Sequence, residues 1–158
     1  MGVRLVTPKS EVNEILMISL RIINEEVKRA LLYLGEQSII KVRDRSGEDS
    51  WFDQTGNLRS SVGYALYDRG KKEFESAFNI IRNGAEGSEE GRKMVEELAN
   101  QYANTYALVV VAAMNYAEYV EAMENKDVLA SAELFARDKV NEYMNKALQR
   151  AELKISKL

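Results

Sequence analysis

From about Pro8 to Arg43 apolar residues recur at three- and four-residue spacings, Val12, Ile15, Leu16, Ile23, Val27, Ala30 and Leu34 with Ser19 in the series. This predicts one long amphipathic helix over 8–43. Thr7 and Pro8, the only proline, suit its N-cap and first turn, because proline lacks an N–H that a helix start leaves unpaired. Met17, Ile18, Leu20, Ile22, Leu31 and Tyr33 widen the apolar stripe beyond what one sheet face covers. Two apolar partners are therefore expected, the second open to being another subunit. Gly35 is a place where the helix can bend or break, at roughly 1 kcal/mol relative to alanine.

Residues 44–57, DRSGEDSWFDQTGN, have the glycines, serines and mixed charges of a surface loop. Beyond it the pattern changes from helical spacing to alternation. Val62, Tyr64 and Leu66 alternate with smaller residues, and Phe74, Ser76, Phe78 and Ile80 alternate with Glu73, Glu75, Ala77 and Asn79. With Asp68-Arg69-Gly70-Lys71 between them, these runs predict a β-hairpin of 61–67 and 73–81, the glycine supplying a positive φ in the turn. Asn83 to Gly91 carries three glycines and reads as a loop, and Arg92 to Asn104 as a short amphipathic helix. Ala107 to Met114, ALVVVAAM, is β-branched, uncharged and short, which predicts a central strand covered on both faces. Asp127 to about Lys154 forms the last helix, with Leu129, Ala132, Ala136, Val140, Tyr143, Ala147 and Ala151 on a stripe that lets it lie close against a sheet. The expected architecture is α+β in a single domain over 1–158, with the N-terminal helix at about 8–43, the surface loop at 44–57, and over 58–154 an antiparallel sheet of the hairpin and the central strand with the C-terminal helix packed on it.

Composition narrows the chemistry. The chain has 158 residues, a net charge of −3, no histidine and no cysteine. Without them there is no thiolate or imidazole for nucleophilic, zinc or disulfide chemistry, and the acidic balance opposes broad binding to phosphate backbones. No run approaches a membrane span, and MGVRLVTPKS lacks the apolar core of a signal peptide, so synthesis in a cytoplasm is the expectation.

Two stretches stand out. In TGNLRSS, Thr55-Gly56 is expected to make a turn, Leu58 to start the apolar set of the sheet, and Arg59 to sit at the strand edge where its donor fork ties down a carboxylate or carbonyls. Arg59 either braces its own fold through Glu118 or Glu121 or crosses a subunit boundary. In NYAEYVEA, a helix would put Tyr116, Tyr119 and Val120 in one core-facing sector, with Glu118 and Glu121 on the other side and available to a neighbour. Trp51 and Phe52 form an aromatic pair in a polar loop, either an anchor to the chain's own core or a docking knob.

TGNLRSSVGYAL, then VVVAAMNYAEYVEA, then a helix beginning at DVLASAELFA together resemble the tail-completion family of long-tailed bacteriophages, the neck or head-to-tail joining proteins. In that family a helix leads to a TG-x-L-x-x-S entry into a hairpin, then a strand ending in YA-x-Y-V-E, then a helix packed on the sheet. The likeness covers about Thr55 to Lys154. Glu121 is followed here by Ala-Met-Glu-Asn rather than a glycine turn, with Asn125 able to take positive φ. The stretches SGEDSWFDQ and Gly84 to Gly91 match no family motif.

What the resemblance implies is a structural virion protein without cofactor or metal. It would form a homo-oligomeric ring with other neck, connector and tail-tube proteins, and let genomic DNA pass without sequence-specific binding. It would assemble in the host cytoplasm and reside in the virion. Against this stand a carboxylate and metal-dependent enzyme using Glu89, Glu90, Glu96 and Glu97 or Glu118, Glu121 and Glu124, and a nucleic-acid binder using Lys41, Arg43 and Arg45 or Arg69, Lys71 and Lys72. A generic protein-interaction module is a further alternative.

Overall fold

A computed structural model describes residues 8–43, 54–122 and 128–158. Helix α1 (Lys9–Arg43) leads to a one-turn helix α2 (Asn57–Ser60) and a hairpin of β1 (Val62–Asp68) and β2 (Lys71–Glu75). Helix α3 (Ala85–Leu98), a 3₁₀ turn (Ala99–Tyr102), strand β3 (Tyr106–Ala112), helix α4 (Ala117–Ala122) and helix α5 (Ala130–Ile155) follow. The fold is α+β, with a long N-terminal helix, a three-stranded antiparallel sheet and a C-terminal helix on the sheet.

The strand order is β2-β1-β3, so β1 is central. The run Ala107 to Met114 was expected in the middle, yet β3 is an edge, and the extended ladder stops at Ala112. Apolar residues on both sides of a strand report two covered faces and say nothing about neighbours in the plane of the sheet. Leu108 and Val110 of β3 face one hydrophobic cluster, while Val109 and Val111 belong to the other. Strand β1 divides in the same way. Val62 and Tyr64 join Ile39 and Val42 of α1, while Ala65 and Tyr67 pack with Phe78 and with Val95 of α3.

The hairpin turn is as expected, with Arg69 (φ 50°) and Gly70 (φ 80°) as its two central residues. The second strand is shorter than expected and ends at Glu75. Ser76 breaks the ladder by using its side chain as well as its backbone, its N–H bonding Tyr64 O while its Oγ accepts from Tyr64 N, both at 2.9 Å. Phe78 then turns into the core over Gly63, where a Cβ would lie 2.3 Å from its ring.

Two glycine-based expectations are corrected. Gly35 does not interrupt α1; a Cβ there would lie 2.5 Å from Tyr64, so the missing side chain admits that ring. The 83–91 stretch is not a loop throughout, because α3 begins at Ala85 and contains Gly87 and Gly91. Packing outweighs the helix propensity lost at glycine, since a Cβ on Gly87 would lie 1.9 Å from Asn57 O.

Helices α1 and α5 run antiparallel. Glu26 meets Arg150 and Lys154, Tyr33 meets Tyr143 at 5.2 Å between ring centroids, and Lys41 lies 4.8 Å over the ring of Phe135. Only the start of α5 rests on the sheet, with Ala132 in the same cluster as Tyr64 and Leu129 packed beside Leu108 and Val110. The rest of its inner face packs on α1, so that α5 is one of the two apolar partners expected for the first helix.

Candidate self-association surfaces

TGNLRSS is a tie point inside the molecule. Gly56 sits at φ +87°, and a Cβ there would come within 1.9 Å of Ile81 O, so the turn has no room for a side chain. Leu58 is buried in α2 and does not start the sheet, a correction that moves Arg59 off the strand edge. Residues 57–60 are helical because polar groups hold them from several sides. Asn57 Oδ1 accepts from Gly87 N at 3.3 Å and its Nδ2 donates to Glu86 at 2.8 Å. Ser60 Oγ accepts from Ile81 N at 2.9 Å, and Ser61 Oγ accepts from Ala113 N at 3.1 Å. Thr55 Oγ1 accepts from Asn57 N at 3.3 Å.

Arg59 donates from Nη1 to Arg43 O, a carbonyl in the last turn of α1, and Arg43 in turn donates to Val62 O and to Ala77 O. The arginine therefore satisfies a helix-end carbonyl that lacks an intrahelical donor. Glu118 is exposed on α4. Tyr116 is half-buried against the first cluster. The side chains of Tyr119 and Glu121, and residues Trp51 and Phe52, lie outside the described residues.

The basic cluster on the hairpin is paired with acids within the chain, whereas in the other cluster Lys41 lies over Phe135, Arg43 donates to backbone carbonyls, and Arg45 lies outside the described residues. Arg69 pairs with Asp68, Lys71 with Glu73, and Lys72 with Glu75 and Glu96. Among the described residues no group of three or more histidine, cysteine, aspartate or glutamate side chains is placed to hold a metal ion.

Glu26 escaped the sequence reading. Its side chain is 0% exposed and is held by Arg29 at 2.8 Å, Arg150 at 2.8 Å and Lys154 at 2.6 Å. Hydrogen bonds from Lys154 and then Arg150 bring its carboxyl down to about 2, against the opposing cost of burial. The signal was a carboxylate on the α1 stripe between Ile23 and Ala30, and a basic pair four residues apart, Arg150 and Lys154, flanking Ala151.

The same stripe shows what α5 leaves uncovered. Steps of three and four residues back from Glu26 reach Ile23, Ser19, Leu16 and Val12. Lys154 lies opposite Glu26 and α5 ends at Ile155, so α1 outruns its partner by about 20 Å at 1.5 Å per residue. On that overhang Leu16, Met17 and Leu20 are 55%, 68% and 54% exposed, and Val12 and Ile15 are exposed beside them. At the other end of the helix pair, Leu108 and Val110 of β3 and Leu129, Ala132, Glu133 and Ala136 at the start of α5 line a cavity of about 320 Å³. No helix among the described residues is long and apolar enough to cross a membrane.

Compared with protein-family models, curated proteins and solved structures, the chain matches none.

Proposed function

We propose that this chain is a structural protein of the neck of a long-tailed bacteriophage. In this reading it forms a homo-oligomeric ring that completes the tail and joins it to the head connector. The observation that carries the reading is the overhang of α1, where exposed Val12, Ile15 and Leu16 continue the intramolecular stripe past the end of α5 and exposed Leu20 and Met17 extend the apolar surface to one side of it. Exposed side chains of this kind, contiguous rather than scattered, mark surfaces that another protein covers. The order of elements, from long helix through turn, hairpin and strand to a YAEYV helix and a last helix, also fits what the tail-completion resemblance implies.

DNA passing through such a ring would meet a subunit with net charge −3, whose basic residues on the hairpin already pair with acids. That combination favours sliding over retention. Arg59 belongs to the subunit's internal bracing in this reading, and exposed Glu118 is left available to a neighbour. The test is mass spectrometry of purified particles together with deletion of the gene. The protein is expected in the virion at a fixed copy number, with deletion yielding unjoined heads and tails. Infectious particles made without it would refute the assignment, and a generic protein-interaction module would then be the better reading of the same overhang.

A further inference from the structure

Deepening the ring reading, on which it rests, we infer that the α1 overhang of one copy seats in the β3–α5 cavity of the next copy, in a head-to-tail contact. Three observations point to a second copy as the occupant. First, the chain carries an apolar projection and an apolar recess of matching character, Leu16, Met17 and Leu20 on one side and Leu108, Val110, Leu129, Ala132 and Ala136 on the other.

Second, the two lie at opposite ends of the antiparallel α1–α5 pair, roughly 35 Å apart along α1. A projection cannot fold back over that distance into its own recess along a straight helix, whereas a neighbour's projection can enter it. Contacts between two different faces of one chain are heterologous, and they close into a ring or run on as a filament. Third, the recess lies beside β3, a sheet edge whose backbone the neighbour's helix would also shield.

The chain has no cysteine, so engineered cysteines report contacts without background. Met17→Cys and Ala136→Cys proteins, mixed at the highest soluble concentration and mildly oxidised, are expected to give a disulfide-linked dimer, with no dimer from Met17→Cys alone. The chain carrying both changes should give a ladder or a closed ring. Adding Leu16→Glu should cut the cross-linked yield about tenfold or more, as loss of one apolar anchor does, while circular dichroism shows an unchanged fold.

Equal cross-linking by Met17→Cys alone would mean that overhangs pair with each other around a two-fold axis, and would overturn the inference. So would no cross-link in the mixture, or one that appears only after Trp51 and Phe52 are changed to alanine, which would place the chain's own loop in the recess. Absence of the protein from particles while the mixed cross-link forms would remove the neck assignment and leave the contact standing. Presence in particles without the cross-link would do the reverse.

Discussion

Replacing Glu26 by glutamine removes one charge from the interface of α1 and α5 and almost no volume. The carboxyl is lowered from 4.5 to about 2 in the fold, which corresponds to about 3 kcal/mol of stability at neutral pH. Arg150 and Lys154 are about half exposed, and solvent screening of such partners brings the expected loss in Glu26→Gln nearer to about 2 kcal/mol. The sign follows from the direction of the shift. A carboxyl whose pKa is depressed by folding contributes fully above 4.5, and the contribution fades as the pH falls toward 2. The gap between native and variant proteins should therefore be widest at pH 7, begin to narrow below 4.5, and almost vanish near 2.

Urea titrations followed by circular dichroism at pH 7, 4 and 3 measure that gap. Asp68, Glu73 and Glu142 also have lowered carboxyls, but both proteins keep them, so their effect cancels in the difference. A gap that stays constant from pH 7 to pH 3 would refute the reasoning. A glutamine variant as stable as the native protein at pH 7 would refute it too, because the clamp would then add nothing to helix pairing.

Gly87→Ala should lower stability by 2 kcal/mol or so despite alanine's advantage of about 1 kcal/mol in a helix, because its Cβ would meet Asn57 O at 1.9 Å, a backbone atom with little freedom to move. Thermal melting of the purified variant reads this directly, and a rise in melting temperature would mean that α2 and α3 separate easily. Arg59→Ala should cost roughly 1–2 kcal/mol by leaving Arg43 O without its charged donor. Its hydrogen exchange should rise first in the last turn of α1, and an unchanged melting curve would argue that the residue serves an interface instead.

The elements that rest on local periodicity were legible in the chain. Helix α1, the turn at Arg69-Gly70, the extended run of β3 and helix α5 all appear close to their expected positions, because spacing of apolar residues and a positive-φ glycine act over a few residues. What failed depended on neighbours distant in sequence. Strand β2 stops at Glu75 because Ser76 and Phe78 find partners on Tyr64, Gly63 and Gly91. The glycine-rich stretch becomes helical because Asn57 and Phe78 press against it.

Site residues divided in the same way. The sequence alone determined that the first helix has more apolar surface than a sheet can cover, and that no histidine or cysteine chemistry is present. Only the tertiary structure decided which part of that surface stays open, since this depends on where α5 ends against α1. It also decided that Arg59 turns inward to Arg43 and that Glu26 is a buried clamp. Periodicity tells which faces of an element must be covered, whereas the partner that covers them is chosen by close packing between segments more than a hundred residues apart, as Glu26 and Arg150 are.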